Sequence, residues 1–153
     1  MQTVLQTRAE VTGYAETSTF ADVTSFCDAL AREYPFVKRA SLCRSTEGRD
    51  VPLLIVSKNG FTSGSQAHAS GDHLVVYIQA NIHAGEVEGK EAILMLVRDL
   101  LKSDPTRILD ATTLVIAPIY NADGNEKFGD GLINRPHQDG PARVGERHNG
   151  MNL

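Results

Sequence analysis

Cysteine is scarce in this chain, and its scarcity excludes one class of small protein. Cys27 and Cys43 are the only two among 153 residues, and each lies in a segment with the pattern of a helix or a strand. Two cysteines are too few for the disulfide framework that stabilises small secreted domains. Because free cysteine behaves as a small hydrophobe, we expect both to be buried free thiols.

Clustered positive charge and long hydrophobic runs are also missing. The formal net charge is -4 at pH 7, and no block of Lys and Arg could bind nucleic-acid phosphates, so we expect no nucleic-acid partner. No apolar stretch approaches the length of a membrane span, so we expect no membrane partner. The first residues lack the basic start and apolar stretch of a secretory signal, which predicts a cytoplasmic protein.

The apolar residues that are present suffice for one core. A hydrophobic content of 41% over 153 residues predicts a single globular domain or a piece of one. Sequence periodicity predicts, in order, a helix, two hairpin strands, a strand, a long amphipathic helix and a strand. The ranges are 20–33, 37–44, 51–57, 73–80, 86–102 and 112–118.

The connections predict how these strands pair. A short turn between the first two strands favours an antiparallel hairpin, and the strand-helix-strand crossover favours a parallel pair, so the predicted sheet is mixed. Residues 58–72 are predicted to be an exposed connection without structure of its own. From Asn121 onward the sequence is polar and rich in turn residues, which predicts a long functional loop.

The tetrapeptide His83-Ala-Gly-Glu86 follows a strand apolar enough to be central in a sheet. Imidazole nitrogen and carboxylate oxygen are ligands that zinc accepts, and active sites in open α/β sheets collect beyond the carboxyl ends of strands. We therefore predict His83 and Glu86 as metal ligands. The alternative is that Glu86 only complements the dipole of the helix that follows.

Other polar residues are weaker candidates. His137 and His148 could supply a third ligand, although solvated histidines are ordinary in a polar loop. We expect Asp123-Gly124 to be a turn, and Lys90 and Glu91 to form hydrogen bonds around the helix start or on the surface. Glu88 is not assigned as a general base, because the second histidine of a His-Glu-x-x-His helix is absent.

Three motifs together resemble the N-terminal half of a zinc carboxypeptidase of the carboxypeptidase A-like family. They are Ile82-His-Ala-Gly-Glu86 with the following Lys90-Glu91, Pro118-Ile-Tyr-Asn-Ala-Asp-Gly124, and Arg147-His-Asn-Gly-Met-Asn-Leu153. The second resembles the family's Asn-Pro-Asp-Gly turn with Ala122 in place of proline, and the third resembles the approach to its Leu-Asn-Arg motif.

The resemblance implies a fold and a division of the chain. The fold is an α/β arrangement with a mixed, mostly parallel sheet, helices on both faces, and a truncated end. Residues 1–14 would be an N-terminal extension, and residues 15–153 the N-terminal half of the catalytic domain.

The resemblance also implies a Zn²⁺ cofactor and hydrolysis of C-terminal peptide bonds. In the family two histidines and a glutamate bind zinc, a second glutamate is the base, and a cation stabilises the developing oxyanion. Arg147 is the first candidate for that cation and Arg135 the second. The third ligand, the base and the Asn-Arg pair that binds the substrate carboxylate would lie beyond Leu153, so we expect the chain alone to be inactive.

Two other functions remain open at this stage. One is a deacylase of the succinylglutamate desuccinylase and aspartoacylase kind, which shares the His-x-x-Glu start and would take an acyl-amino-acid substrate. The other is a non-catalytic binding module on the same fold, for which His83 would be irrelevant.

Overall fold

A four-stranded mixed sheet lies at the centre of the fold. The computed structural model describes residues 5–71, 74–135 and 139–146. The described helices are α1 (Arg8–Val11), α2 (Phe20–Glu33), α3 (Gly64–Ala69), α4 (Val87–Lys102), α5 (Thr106–Leu109), α6 (Ala122–Glu126) and α7 (Gly131–Asn134). The described strands are β1 (Val37–Arg44), β2 (Asp50–Val56), β3 (Leu74–Gln79), β4 (Thr112–Ala117), β5 (Gly129–Asp130) and β6 (Arg143–Val144).

The strand order in the central sheet is β1-β2-β4-β3. The predicted hairpin is confirmed, because β1 and β2 pair antiparallel, and so is the parallel pairing of β3 with β4. The hairpin joins the crossover unit through an antiparallel pairing of β2 with β4. Two of the three described pairings in the central sheet are antiparallel, so the predicted mixed sheet is confirmed, with more antiparallel than parallel pairing in this part of the chain.

Strand β3 was expected in the middle of the sheet, but β4 is its only neighbour among the described strands. Its side chains are correspondingly exposed, with Leu74 at 63% and Tyr77 at 49%. The strand's apolar composition predicted a central position, which requires a neighbouring strand on each edge. In the described sheet, β4 takes the inner position.

Helix α2 forms where capping and apolar spacing predicted it. The Thr19 side chain accepts a hydrogen bond from the Asp22 backbone N–H, and the Asp22 side chain accepts one from the Thr19 backbone N–H, which is a capping box. The helix ends before Tyr34-Pro35, since the residue before a proline avoids helical angles. Its buried face consists of Val23, Phe26, Cys27 and Leu30.

Helices lie on both faces of the sheet, as the resemblance implied. Helices α2 and α4 share one core with the sheet residues Leu54 and Ile116. On the opposite face α3 approaches closely: a Cβ atom added to Gly64 would lie 3.4 Å from Val75 Cγ1 and 3.5 Å from Val115 Cγ2. No helix within the described ranges is long and apolar enough to cross a membrane.

The prediction missed the short elements. Helix α3 lies inside the supposed connection 58–72, and α6, β5, α7 and β6 lie inside the supposed loop. Helices α1 and α5 were not predicted either. Each of these helices spans only four to six residues, which is too few for an apolar period to appear, and local capping contributes to several of them.

The two thiols differ in environment, so the expectation that both are buried is half right. Cys27 is buried in the core, and this burial raises the pKa of its thiol to about 12. Cys43 is exposed. The β1–β2 register shifts between Ser41 and Cys43. This β-bulge changes the face of the sheet to which the side chains of β1 point.

Candidate metal centre

The predicted ligands lie in a tight loop between β3 and α4. Asn81 begins this loop with a φ of 59°, a left-handed conformation that asparagine adopts more readily than most residues. Its buried side-chain amide donates to the backbone oxygens of Ala84, at 3.1 Å, and of Glu86, at 3.2 Å. Asn81 therefore fixes the loop that carries both ligands, a role that sequence analysis did not assign.

The ligand atoms face each other. His83 Nδ1 lies 3.1 Å from Glu86 Oε1. Two donors bound to one tetrahedral zinc by bonds of about 2.0–2.1 Å are separated by about 3.3 Å, so the observed pair fits adjacent positions on such an ion. The side chains are 37% and 33% exposed, which leaves them accessible.

The position of Glu86 allows the alternative role, in which it complements the dipole of α4, but its contacts include no capping hydrogen bond. Glu86 occupies the N-cap position of α4 but makes no side-chain capping hydrogen bond. Its carboxylate is directed instead to His83 and to Arg135, whose Nη1 donates to Glu86 Oε1 at 3.0 Å. The structure thus brings together His83, Glu86 and Arg135.

The other predicted site residues do not join this cluster within the described chain. Arg147, the first candidate for the catalytic cation, lies outside the described residues, as do His137 and His148. Among the residues that the structure describes, no group of three or more His, Cys, Asp or Glu side chains could hold a metal ion.

Close backbone packing brings Arg135 to the ligand loop. A Cβ atom added to Gly85 would lie 3.0 Å from the carbonyl oxygen of Asn134, the residue before Arg135. A Cβ atom added to Gly145 would lie 2.6 Å from Gly124 O and 3.0 Å from Ala84 Cβ. Such contacts leave no room for a side chain, so these two glycines allow the polar loop to contact the ligand loop.

Lys90 and Glu91 are buried, which contradicts a surface position. Lys90 Nζ donates to Ser18 O and to Asn125 Oδ1, both at 2.5 Å. Glu91 accepts hydrogen bonds from Thr17 Oγ1 at 2.8 Å and from the Ser18 backbone N–H at 2.6 Å. Burial lowers the pKa of the Lys90 amine to about 8. These contacts fix the segment before α2 to α4.

Asp123 lies in the first turn of the short helix α6, where a simple turn is predicted, and it also joins two parts of the fold. Its carboxylate accepts from Ser45 Oγ at 2.6 Å, from the Glu47 backbone N–H at 2.9 Å and from Arg49 Nη1 at 2.7 Å. Burial favours a raised pKa, but these hydrogen bonds outweigh it and hold the pKa of Asp123 below its usual range. The β1–β2 turn is thereby tied to α6.

A cavity of about 240 Å³ adjoins Arg135 and the ligand loop. Its walls include Gly85 and the side chain of Arg135. Three carboxylates, Glu88, Asp130 and Asp139, also line it. Gly85 and Arg135 thus border a recess that carries three acidic residues among mostly glycine and apolar neighbours.

Comparison with known proteins decides the family. The profile of the zinc carboxypeptidases matches residues 23–152, which include both predicted ligands. The chain belongs to the zinc carboxypeptidase family.

Among zinc carboxypeptidases with similar sequences, mouse (Mus musculus) carboxypeptidase D is 34% identical over 118 residues, covering 73% of this chain and 8% of that protein. Mouse carboxypeptidase M is 31% identical over 108 residues, covering 67% of this chain and 23% of that protein. The chain thus spans less than a quarter of the length of these two relatives.

Solved zinc carboxypeptidase structures share the fold. Carboxypeptidase A from Helicoverpa armigera aligns with a TM-score of 0.61 at 24% identity, over 72% of this chain and 26% of that one. A metallo-carboxypeptidase from Burkholderia cenocepacia aligns with a TM-score of 0.58 at 25% identity, over 72% of this chain and 28% of that one. The mixed α/β architecture is therefore that of the family.

Proposed function

We propose that this chain forms the metal-binding part of a zinc-dependent metallocarboxypeptidase that hydrolyses C-terminal peptide bonds. The observation that carries the proposal is the separation of 3.1 Å between His83 Nδ1 and Glu86 Oε1, in a loop at a strand end. Membership in the zinc carboxypeptidase family supports the choice of metal and of reaction.

In this proposal His83 and Glu86 hold the zinc ion. If bound by these residues, the ion would supply Lewis acidity, which would lower the pKa of a water molecule and favour attack on the scissile carbonyl near neutral pH. Asn81 holds the ligand loop through its hydrogen bonds to Ala84 O and Glu86 O. The imidazole and the carboxylate are thereby oriented before the metal binds.

Arg135 is the better supported candidate for the cation that stabilises negative charge on the substrate carbonyl oxygen. Its guanidinium lies 3.0 Å from Glu86 Oε1, a proposed metal ligand, and therefore borders the proposed centre. Arg147, the first candidate from the sequence, becomes the second candidate and is supported by its position in the family motif.

The third ligand and the general base are assigned to residues other than those described. Within the described ranges no cluster of three ligating side chains occurs. A site with two protein ligands binds zinc more weakly than the three-ligand sites of catalytic zinc enzymes. We therefore expect weak zinc binding and no peptidase activity from this chain by itself.

Peptides are the proposed substrates. The curated relatives described above are named carboxypeptidases, which favours a peptide over the acyl-amino-acid substrate of a deacylase. A non-catalytic binding module is the outcome that would follow if the metal site fails its test.

The test is zinc binding measured by isothermal titration calorimetry and by metal content after dialysis. We expect the chain to bind one zinc ion, and His83→Ala and Glu86→Ala each to abolish that binding. His68→Ala is the matched control, because His68 is an exposed histidine on α3, outside the proposed centre.

Equal zinc binding by the chain and by its His83→Ala variant would refute the metal site. A non-catalytic binding module would then be the remaining function. The peptidase part of the proposal is tested on a longer polypeptide that includes residues 1–153. Such a polypeptide should cleave N-blocked dipeptides with a free carboxylate and leave their C-terminal amides intact. Failure to cleave any of them with zinc bound would refute the reaction.

A further inference from the structure

The carboxylate oxygen proposed for the metal already has a cationic partner. Arg135 Nη1 donates to Glu86 Oε1 at 3.0 Å, and His83 Nδ1 lies 3.1 Å from that same oxygen. The Arg135 side chain is 22% exposed and that of Glu86 33%, so solvent screens their attraction only in part.

We infer that Arg135 and zinc are alternative partners of Glu86, so that metal binding releases the guanidinium and Arg135 sets the metal affinity of the site. This inference rests on the proposed function. If both cations were bound to Glu86 Oε1, they would lie within about 5 Å of each other, the sum of a zinc–oxygen bond and the hydrogen bond of 3.0 Å. Repulsion between a divalent ion and a guanidinium at that distance opposes simultaneous binding.

The structure also provides a place for the released side chain. Arg135 borders the cavity of about 240 Å³ whose walls include the carboxylates of Glu88, Asp130 and Asp139. A guanidinium that leaves Glu86 can swing into this recess and keep an electrostatically favourable environment. This motion is a side-chain rotation and leaves the Arg135 backbone N–H bonded to Gly131 O at 2.7 Å.

The consequence is that zinc binding and substrate binding are coupled. With Glu86 bound to zinc, the Arg135 guanidinium becomes available to a substrate oxygen. Without the metal, the guanidinium is held by Glu86. By reciprocity, a ligand that binds the released guanidinium should tighten zinc binding.

The first experiment compares zinc affinities by isothermal titration calorimetry. Arg135→Ala should bind zinc about two- to fivefold more tightly than the unmodified chain, because an ion pair that competes for Glu86 is lost. Arg143→Ala is the control of equal charge change; Arg143 donates to Phe128 O and should leave the affinity unchanged. Arg135→Gln is a second variant in case alanine perturbs folding, which circular dichroism would reveal.

The second experiment observes the guanidinium itself by NMR of the arginine side chains. The Arg135 signals should shift in proportion to zinc saturation, and Glu86→Gln should show a similar shift without zinc. Arg143 signals should not respond.

The outcomes separate the inference from the proposed function. If His83→Ala abolishes zinc binding while Arg135→Ala binds zinc no more tightly than the unmodified chain, the competition is refuted and the metal site stands. Arg135 signals that stay unchanged at zinc saturation would also refute the competition. If His83→Ala leaves zinc binding intact, the metal site itself is wrong.

Discussion

Single residues with unusual backbone or solvent environments determine the geometry of the proposed centre. Asn81 is one of two non-glycine residues with positive φ among those described, and it is buried with its amide bonded to the ligand loop. A strained conformation held by several hydrogen bonds is a common feature of functional sites. Asn81, two residues after β3, thus holds the loop that carries both proposed ligands.

Substitution of Asn81 should separate the backbone effect from the side-chain effect. Asn81→Ala should lower the free energy of unfolding by about 2 kcal/mol, because it removes the amide hydrogen bonds and strains an alanine at positive φ. Asn81→Gly should cost about 1 kcal/mol less than alanine, since glycine adopts this conformation freely. Urea unfolding followed by circular dichroism measures both. Equal free energies of unfolding for the alanine and glycine variants would show that the positive φ does not strain alanine.

The two thiols should react at very different rates. Cys43 is exposed and should react with a thiol reagent such as DTNB in the folded protein, whereas Cys27 should react only on unfolding, because it is buried with a raised pKa. The number of protein thiols that react with DTNB, measured with and without denaturant, tests this prediction. Cys43→Ser should abolish the fast reaction, and Cys27→Ser should preserve it. A fast reaction in the Cys43→Ser variant would overturn the assignment.

At the scale of elements, α4 organises both the site and the segment before α2. Its N-terminus carries the ligand loop, and its next turn carries Lys90 and Glu91, which bind Ser18. Two adjacent buried charges are costly unless their hydrogen bonds are made. The segment containing Thr17 and Ser18 therefore stabilises the buried charges of α4, and α4 in turn fixes the position of that segment.

Removal of the Glu91 carboxylate should destabilise the fold. Glu91→Ala leaves the Thr17 hydroxyl and the Ser18 backbone N–H without their buried acceptor, at a cost of about 3 kcal/mol. Glu88→Ala is the matched control on the same helix, because Glu88 is exposed. It should change the free energy of unfolding by less than about 0.5 kcal/mol. Similar values for the two variants would show that the buried hydrogen bonds contribute little.

The buried amine of Lys90 predicts a dependence of stability on pH. Its pKa is about 8 in the fold, against a reference value of 10.5. Between these values the unfolded chain holds a proton that the folded chain has lost, so the contribution of Lys90 to stability rises with pH. The rise is complete above the reference pKa and amounts to about 3 kcal/mol at most.

Lys90→Met tests this contribution. The stability of the unmodified chain relative to the variant should increase between pH 7 and pH 10, and both should be measured by urea unfolding at each pH. The comparison at equal pH cancels the titration of Cys27, which acts in the opposite direction. A stability difference that does not change with pH would contradict the prediction.

Elements with a repeated pattern could be predicted from the sequence, and the site's tertiary contacts could not. Strand β1 and helix α2 match their predicted ranges, because alternation and capping are local signals. Helix α7 has too few residues to show a period. The contact of Arg135 with Glu86 joins residues 49 apart in sequence and depends on the close packing at Gly85 and Gly145. No spacing rule indicates such a contact.

At the scale of the whole molecule, β3 lies at one edge of the described sheet and has no fully buried residue. Among the described strands only β4 pairs with it, and Leu74 and Tyr77 are exposed beside it. A strand with one free edge and apolar side chains is a template for association with another chain. A groove lined by Ile78, Ala80, Gly89, Ala92, Ile93 and Leu96 continues this apolar surface onto α4.

The chain by itself should therefore associate as its concentration increases. Leu74→Lys should reduce the association, because a charge beside a free strand edge opposes pairing. Sedimentation velocity over a range of concentrations measures the change. Ile108→Lys is the control, since Ile108 is an exposed apolar residue on α5. Equal association of both variants would show that β3 is not the surface involved.

The hydrogen bonds of Ser18 have a practical consequence for how the folding unit is delimited. The family match begins at residue 23, but Lys90 and Glu91 find their buried partners at Thr17 and Ser18. A polypeptide trimmed to the matched region would lose the acceptor of an ammonium group and the donors of a carboxylate in its interior. The region that the family match covers is thus shorter than the set of residues joined by these buried hydrogen bonds, and expression boundaries should include the segment from Leu5, whose carbonyl oxygen accepts a hydrogen bond from Arg98.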